Sequence, residues 1–269
     1  MVPKLNDIMK LLDTLAPFAN MAEWDNSGLQ VGDLTQEVHT VLLALDPTAD
    51  ALAGAVRNNA QLLLTHHPLI FQPLSRIDYQ VYPGNVITQA IQNNISIISA
   101  HTNLDVARGG INDILAELLD LKHTDILDQA ESLGIGGVGL GRIGTLEKPI
   151  RLSSMAAKIK GILGSSSIKV MGDRDLEIIR VAIVGGSGGS MIDKAYEKGA
   201  DVFITGDIGH HDALKAAILK LALIDAGHFF TERAAIRFFA DHFRETLSTR
   251  HWNVKVEVYE NEEALMRFE

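Results

Sequence analysis

The segment Gln61-Leu-Leu-Leu-Thr-His-His-Pro68 decides the predicted fold, because an apolar strand ends here in two adjacent histidines. A later apolar strand, residues 95–100, ends in the same way at His101, and Asp105 follows four residues later. A helical pattern over 83–94 separates these two strands, and the apolar run 41–45 predicts a further strand before them. Strands joined through a helix are parallel, and ligands bind where the carboxyl ends of parallel strands meet. We therefore predict an α/β half with polar side chains gathered at one edge of its sheet.

The second half of the chain repeats this order. Residues 180–184 and 201–205 form apolar strands, and a third strand at 221–224 leads to His228, with Glu232 four residues later. Because polar residues follow matching strands in both halves, we predict two similar βαβαβ halves related by a pseudo-twofold, with the site in the cleft between them. The expected boundaries are 1–128 for the first α/β half, 129–179 for a connector with short strands and a helix, and 180–269 for the second α/β half.

Two glycine-rich segments, within 134–144 and 185–189, have more than one interpretation. Gly139-Leu-Gly-Arg-Ile-Gly144 has the spacing of a dinucleotide-binding fingerprint, but it precedes a predicted strand instead of following one, so a set of turns is favoured. Gly185-Gly-Ser-Gly-Gly189 follows a strand and opens a predicted helix. It is either a tight turn or an anion site built from backbone amides, although the loop contains no Lys or Arg.

The composition of the chain excludes several classes of protein. The 269 residues are 46% hydrophobic and include no cysteine, which excludes a disordered chain, a disulfide scaffold, an iron–sulfur cluster and a cysteine nucleophile. Any metal must bind nitrogen and oxygen ligands. The net charge of -10 argues against broad binding to DNA. Without a signal-peptide pattern or about 18 consecutive apolar residues, we expect a soluble cytoplasmic protein with no membrane contact.

The histidines at the predicted strand ends are the candidate metal ligands. His66 and His67 diverge from one backbone turn before Pro68, an arrangement that suits two metals, although two histidines in a polar loop would look the same. His228 and Glu232 lie on one helical face; the alternative is a carboxylate at a helix start beside an incidental histidine. Together with His101-x-x-x-Asp105, these features favour a metal centre.

Several segments, in this order, resemble the GTP cyclohydrolase I type 2 family, also called the NIF-three-like family. They are Trp24-Asp-Asn-Ser-Gly28, Thr65-His-His-Pro-Leu-Ile-Phe71, Ser99-Ala-His-Thr-Asn-Leu-Asp105, Ile204-Thr-Gly-Asp207 and Gly227-His-Phe-Phe-Thr-Glu232. The resemblance covers essentially the whole chain. It implies a dinuclear metal centre in a duplicated α/β fold, and a homo-oligomer that in this family is often a toroidal hexamer.

The resemblance also implies which residues bind the metals. Glu232 would bridge two divalent ions, and Zn, Fe, Mn and Ni all suit such donors. The implied ligands are His66, His67, Asp105, His228 and Glu232. His101 is a candidate catalytic residue, as an orienting group or proton carrier, or else a buried structural histidine. Asp25, Asn26 and Asp207 either line the site or belong to turns.

The function that the resemblance implies is a metal-dependent hydrolase acting on a small molecule, GTP. Water activated by the metals would attack C8 of the guanine ring, open the imidazole and release formate. Few cations are at hand for the triphosphate; Arg76, Arg108 and Arg142 are the candidates. One alternative is a non-catalytic metal-binding interaction protein with an interface on helix 233–247, where Phe238, Phe239 and Phe243 recur at helical spacing. Another alternative is a two-metal phosphoesterase that acts on nucleotides or on DNA. The net charge of -10 disfavours DNA as a partner.

Overall fold

The computed structural model describes residues 1–129 and 138–266, and the chain forms two compact α/β units. The first unit combines Met1–Ala107 with Ile236–Glu263, and the second contains Arg108–Ala235. The mixed α/β class expected for both halves is confirmed. The boundaries of these units differ from those of the expected segments 1–128, 129–179 and 180–269. Residues 130–137 of the expected connector, including Gly134, lie outside the described residues.

The elements are numbered here in chain order. The helices are α1 (Leu5–Leu15), α2 (Ala49–Arg57), α3 (Gly84–Gln92), α4 (Thr102–Val106), α5 (Ile111–Leu118), α6 (Leu152–Leu163), α7 (Ile192–Glu197), α8 (His210–Leu219) and α9 (His228–Thr249). The strands are β1 (Gly28–Val31), β2 (Thr40–Ala44), β3 (Leu62–Thr65), β4 (Ser96–Ser99), β5 (Lys122–Gln129), β6 (Gly139–Arg151), β7 (Lys169–Met171), β8 (Glu177–Ser187), β9 (Val202–Gly206), β10 (Ala222–Asp225) and β11 (Lys255–Val258).

The first unit contains a five-stranded sheet in the order β1-β4-β3-β2-β11. The three strands that the apolar runs predict, β2, β3 and β4, are parallel and buried along their whole length. β11 extends the parallel part beside β2, and β1 closes the other edge antiparallel to β4. The sequence did not predict β1, because a short strand at a sheet edge is only partly buried and shows no clear periodicity.

The second unit contains a six-stranded sheet in the order β5-β6-β8-β9-β10-β7. The parallel strands β8, β9 and β10 are those predicted, and antiparallel strands flank them. β6 begins at Gly139 and includes Gly144, so the favoured interpretation of this segment as a set of turns is wrong, and so is the dinucleotide-binding alternative. A Cβ on Gly139 would lie 2.3 Å from the Asp128 carbonyl oxygen, and the glycine therefore permits close strand pairing.

The second glycine segment also differs from its prediction. β8 continues to Ser187, so Gly185 and Gly186 belong to the strand and the turn begins only at Gly188. The Gly185 amide donates to Asn112 Oδ1 at 3.0 Å, and the Gly186 amide donates to Thr231 Oγ1 at 3.0 Å. Both amides thus donate to side chains of distant residues and are not free to bind an anion, so the anion-site interpretation is wrong for them.

Each unit has its own hydrophobic core. Leu42, Leu63 and Ile97 from neighbouring strands pack with Tyr259 in the first unit. In the second unit, Ala182, Phe203 and Leu223 belong to the cluster of buried apolar side chains.

α1 begins at Leu5 with Lys4 as its N-cap residue, and Asp7 Oδ2 accepts a hydrogen bond from the Lys4 amide at 2.9 Å. On α9, Phe239 and Phe243 are buried with their ring centroids 6.0 Å apart, whereas Phe238 is exposed. Among the described residues, no helix has the length and apolarity that crossing a bilayer requires.

Candidate metal centre

His66 and His67 lie directly beyond the end of β3. The chain stays beside β2 after the strand ends, since the His67 amide donates to the Leu45 carbonyl at 3.0 Å. The Thr65 hydroxyl donates to the His67 carbonyl at 2.8 Å and fixes this short turn. The two imidazole ring centroids lie 5.1 Å apart. The imidazoles of His66 and His67 therefore lie side by side although the residues are consecutive, as expected where a strand ends before Pro68.

His101 joins these two rings from the end of β4. Its ring centroid lies 5.1 Å from that of His66 and 5.4 Å from that of His67. One nitrogen of each of the three rings lies within 4.8 Å of the others, so this imidazole cluster (His66, His67 and His101) could hold a metal ion. Asp105 on α4 adds a carboxylate, whose Oδ1 lies 3.6 Å from His66 Nε2.

The orientation of each ring in the imidazole cluster is set by a hydrogen bond at Nδ1. In all three cases the partner is an oxygen at 2.8 Å that can only accept. The bonds join His66 to the Ala100 carbonyl, His67 to the Asp46 carboxylate and His101 to the Asp25 carboxylate. Nδ1 therefore carries the proton, and Nε2 of the neutral ring keeps its lone pair for a metal. This donor set fits the divalent cations that the family resemblance implies.

Asp25 is a buried carboxylate in the motif that begins at Trp24. Burial alone would raise the pKa of Asp25. Hydrogen bonds from His101, Thr102 and Ser27 instead hold the pKa of Asp25 far below its ordinary value. Asp25 is thus an ionised anchor for His101. Its neighbour Asn26 donates to the Ile70 carbonyl at 2.6 Å and connects two loops.

In the second unit, His228 and Glu232 lie in the first turns of α9. The helix begins at His228, and this places both residues on one helical face. His228 Nε2 lies 2.9 Å from Glu232 Oε2, and Nδ1 lies 2.7 Å from Asp207 Oδ2. The hydrogen bond to Glu232, opposed by burial and aided by the charges of Glu232 and Asp207, raises the pKa of His228 to about 9.

Gly186 and Thr231 position this pair, and sequence reasoning missed both roles. Gly186 has a φ of +67°, and a Cβ there would lie 2.2 Å from Glu232 Oε1. The Thr231 hydroxyl accepts from the Gly186 amide and donates to the His228 carbonyl at 2.7 Å. A glycine inside a strand pattern often marks such a close approach, and this was the available signal.

Arg142, an expected contact for a triphosphate, is occupied within the second unit. Its side chain is buried, forms an ion pair with Asp113, and donates to the carbonyls of Gly139 and Gly141 at 2.9 and 2.8 Å. The guanidinium of Arg142 is thus engaged by Asp113 and by the first residues of β6, which does not favour a contact with a triphosphate. Arg76 and Arg108 are exposed.

The fold and these side chains define an α/β protein with histidine groups able to bind a metal. The chain belongs to the Duf34/NIF3 (NGG1p interacting factor 3) family, whose model matches residues 3–264.

Three relatives illustrate this membership. A Streptomyces coelicolor protein named GTP cyclohydrolase 1 type 2 homolog is 37% identical over 261 residues, 96% of this chain and 91% of that protein. A Helicobacter pylori protein named GTP cyclohydrolase 1 type 2 is 34% identical over 258 residues, 96% of this chain and 97% of the other. The crystal structure of a hypothetical protein from Staphylococcus aureus superposes with a TM-score of 0.93 at 32% identity and covers both chains completely.

Proposed function

We propose that this chain is a metal-dependent hydrolase that opens the imidazole ring of the guanine base of GTP. The observation that carries the proposal is the imidazole cluster, in which Nδ1 hydrogen bonds leave the Nε2 atoms of His66 and His67 available as ligands. The names of the Streptomyces coelicolor and Helicobacter pylori relatives support the choice of GTP as substrate.

The family resemblance supports the choice of metal ligands. We propose that His66, His67, Asp105, His228 and Glu232 hold two divalent cations and that Glu232 bridges them. Bound cations would lower the pKa of a water molecule and so supply the nucleophile. Nitrogen and oxygen donors of this kind accept Zn, Fe, Mn or Ni.

His101 is proposed to move protons during ring opening. The reaction consumes two water molecules: the first adds at C8 and the C8–N9 bond breaks, and the second releases C8 as formate. N9 must gain a proton when its bond to C8 breaks. The hydrogen bond to ionised Asp25 keeps a proton on His101 Nδ1, which leaves Nε2 as the atom that takes up and donates the exchangeable proton.

Incubation with GTP tests this activity. Protein loaded with Mn²⁺, Zn²⁺ or Fe²⁺ should release formate and form a ring-opened product. His67→Ala should abolish turnover, and His39→Ala, which changes an exposed histidine, should retain it. Equal turnover by wild type and His67→Ala would refute the proposal, and release of phosphate without formate would indicate a phosphoesterase instead.

Metal content gives a second test that does not depend on the substrate. We expect about two equivalents of metal in the wild type and fewer in Glu232→Gln, because an amide is a weaker ligand and cannot bridge two cations by charge. Glu245→Gln changes an exposed glutamate of the same helix and should keep the wild-type content. Elemental analysis of protein purified without added metal measures this, and the same content in all three proteins would contradict a bridging role.

A further inference from the structure

We propose that Trp24 and Phe71 form a stacking platform for the purine ring of a nucleotide, next to the imidazole cluster. The two side chains are exposed by 60% and 47%, and their ring centroids lie 5.9 Å apart at an interplanar angle of 55°. Trp24 also contacts His101 edge to face, with ring centroids 5.9 Å apart. An exposed pair of aromatic rings thus adjoins a group of histidines that could hold a metal.

Polar contacts hold the aromatic platform (Trp24 and Phe71) in place. Asn26 Nδ2 donates to the Ile70 carbonyl at 2.6 Å, and the Ile70 amide donates to Gln30 Oε1 at 3.0 Å. These bonds join the segment that follows Trp24 to the segment that precedes Phe71. Asp25, the neighbour of Trp24, is in turn bound to His101. Hydrogen bonds therefore hold the segments next to the two exposed rings in place, and the binding surface is formed before a ligand binds.

The charges of the chain favour recognition of a ring over recognition of phosphates. The formal net charge is -10, and the guanidinium of Arg142 is paired within the protein. A polyanion gains little from such a surface, whereas aromatic stacking needs no positive charge. Exposed tryptophan is also costly to leave in water, and a flat purine ring covers it with matching geometry.

The aromatic platform rests on the proposed function, because it takes the imidazole cluster as the reacting centre. The platform would hold the purine ring of GTP beside that centre. Ring binding can be measured without turnover, so the two proposals can fail separately. A protein that binds guanosine through Trp24 and releases no formate would support the platform and refute the cyclohydrolase activity.

Fluorescence of a single tryptophan tests the contact directly. The chain has two tryptophans, so Trp252→Phe leaves Trp24 as the reporter. Guanosine and GTP should both quench its emission with dissociation constants within a few-fold of each other, and inorganic tripolyphosphate should not. Quenching by tripolyphosphate as strong as by GTP, or no quenching by guanosine, would overturn the proposal.

Binding of guanosine to variants, measured by calorimetry on the full chain, separates stacking from general damage. Trp24→Ala should weaken guanosine binding about tenfold. Trp24→Phe, which keeps an aromatic face, should recover most of the affinity. Tyr79→Ala changes a more exposed ring in the segment after Phe71 and should bind like the wild type. Unchanged affinity in Trp24→Ala would refute the platform, and a smaller oligomer with unchanged affinity would show that Trp24 serves contacts between copies of the chain.

Discussion

Asp25 shows how one buried carboxylate organises several groups at the scale of single residues. It accepts hydrogen bonds from His101 at 2.8 Å, from the Ser27 hydroxyl at 2.8 Å and from the Thr102 amide at 3.1 Å. Burying a charge is unfavourable unless such bonds replace those to water. The motif that begins at Trp24 therefore contains an orienting anion, and this accounts for its polar residues better than turn chemistry alone.

Asp25→Asn should destabilise the folded protein at neutral pH, and the difference from wild type should shrink in acid. The folded-state pKa of Asp25 lies below its ordinary value of 3.8. Its stabilising effect is therefore fully present above pH 3.8 and is lost as the pH falls towards the folded-state pKa, by up to about 1.4 kcal/mol per pH unit. Urea unfolding between pH 3 and pH 7 measures this change.

Glu23→Gln is the matched control for this measurement, because it changes an exposed carboxylate two residues away. The free energy of unfolding of Glu23→Gln should follow that of the wild type at every pH. A difference between Asp25→Asn and wild type that stayed constant down to pH 3 would show that the Asp25 charge is not the stabilising feature.

At the scale of elements, the segment after β11 supports the loop after β2. Glu262 accepts hydrogen bonds from the amides of Leu45 at 2.8 Å and Asp46 at 2.9 Å. Asp46 is also the partner of His67 Nδ1. Glu262 thus holds the loop that fixes one ring of the imidazole cluster.

Glu262→Ala should lower the free energy of unfolding by about 1.5–3 kcal/mol, because hydrogen bonds to a charged acceptor are lost. It should also weaken Zn²⁺ binding, since Asp46 no longer holds His67 firmly. Glu263→Ala removes the neighbouring exposed carboxylate and should change neither quantity. Urea unfolding and zinc titration measure both effects, and identical results for the two variants would exclude the support that we assign to Glu262.

Gly186→Ala tests the close approach of β8 to α9. An alanine would adopt a left-handed conformation that costs roughly 1–2 kcal/mol, and its Cβ would displace the Glu232 carboxylate. We expect lower stability and a reduced metal content. Gly161→Ala in α6 is the control, because a Cβ there meets nothing within 4 Å and a helical alanine is favourable by about 1 kcal/mol. Full metal content in Gly186→Ala would contradict this reasoning.

At the scale of the whole molecule, bound metal should stabilise the folded chain. A ligand that binds only the folded state adds about 2.7 kcal/mol when its concentration is 100 times its dissociation constant, which raises the Tm by roughly 5–10 °C. Chelation should reverse this increase. Differential scanning calorimetry with and without a chelator measures the shift, and an unchanged Tm would argue against metal binding at these residues.

Assembly is a separate proposal at this scale. From the family resemblance we propose a homo-oligomer, specifically a toroidal hexamer. Light scattering during the same chelation experiment distinguishes two roles for the metal. A loss of mass with no reaction lost would favour a structural metal that holds copies together, and an unchanged mass with lost turnover would favour a catalytic metal.

Sequence reasoning succeeded where structure depends on near neighbours in the chain. The apolar runs at β2, β3, β4, β9 and β10 predicted buried parallel strands, because such strands are apolar along their whole length. The spacing of His228 and Glu232 predicted a shared helical face for the same local reason.

Edge strands and contacts over long sequence distances depend on the folded chain. β1 and β11 are short strands at the edges of their sheet, where weak burial leaves little pattern to detect. The Nδ1 partners of the histidines also come from distant segments. Asp25, the partner of His101, lies far from it in the sequence, and Asp46, the partner of His67, is held by the distant Glu262. Residue types and their order along the chain were thus enough to indicate parallel strands with histidines at their ends. The orientation of each imidazole was decided only in the tertiary structure, because that requires oxygen acceptors which folding brings together from remote parts of the chain.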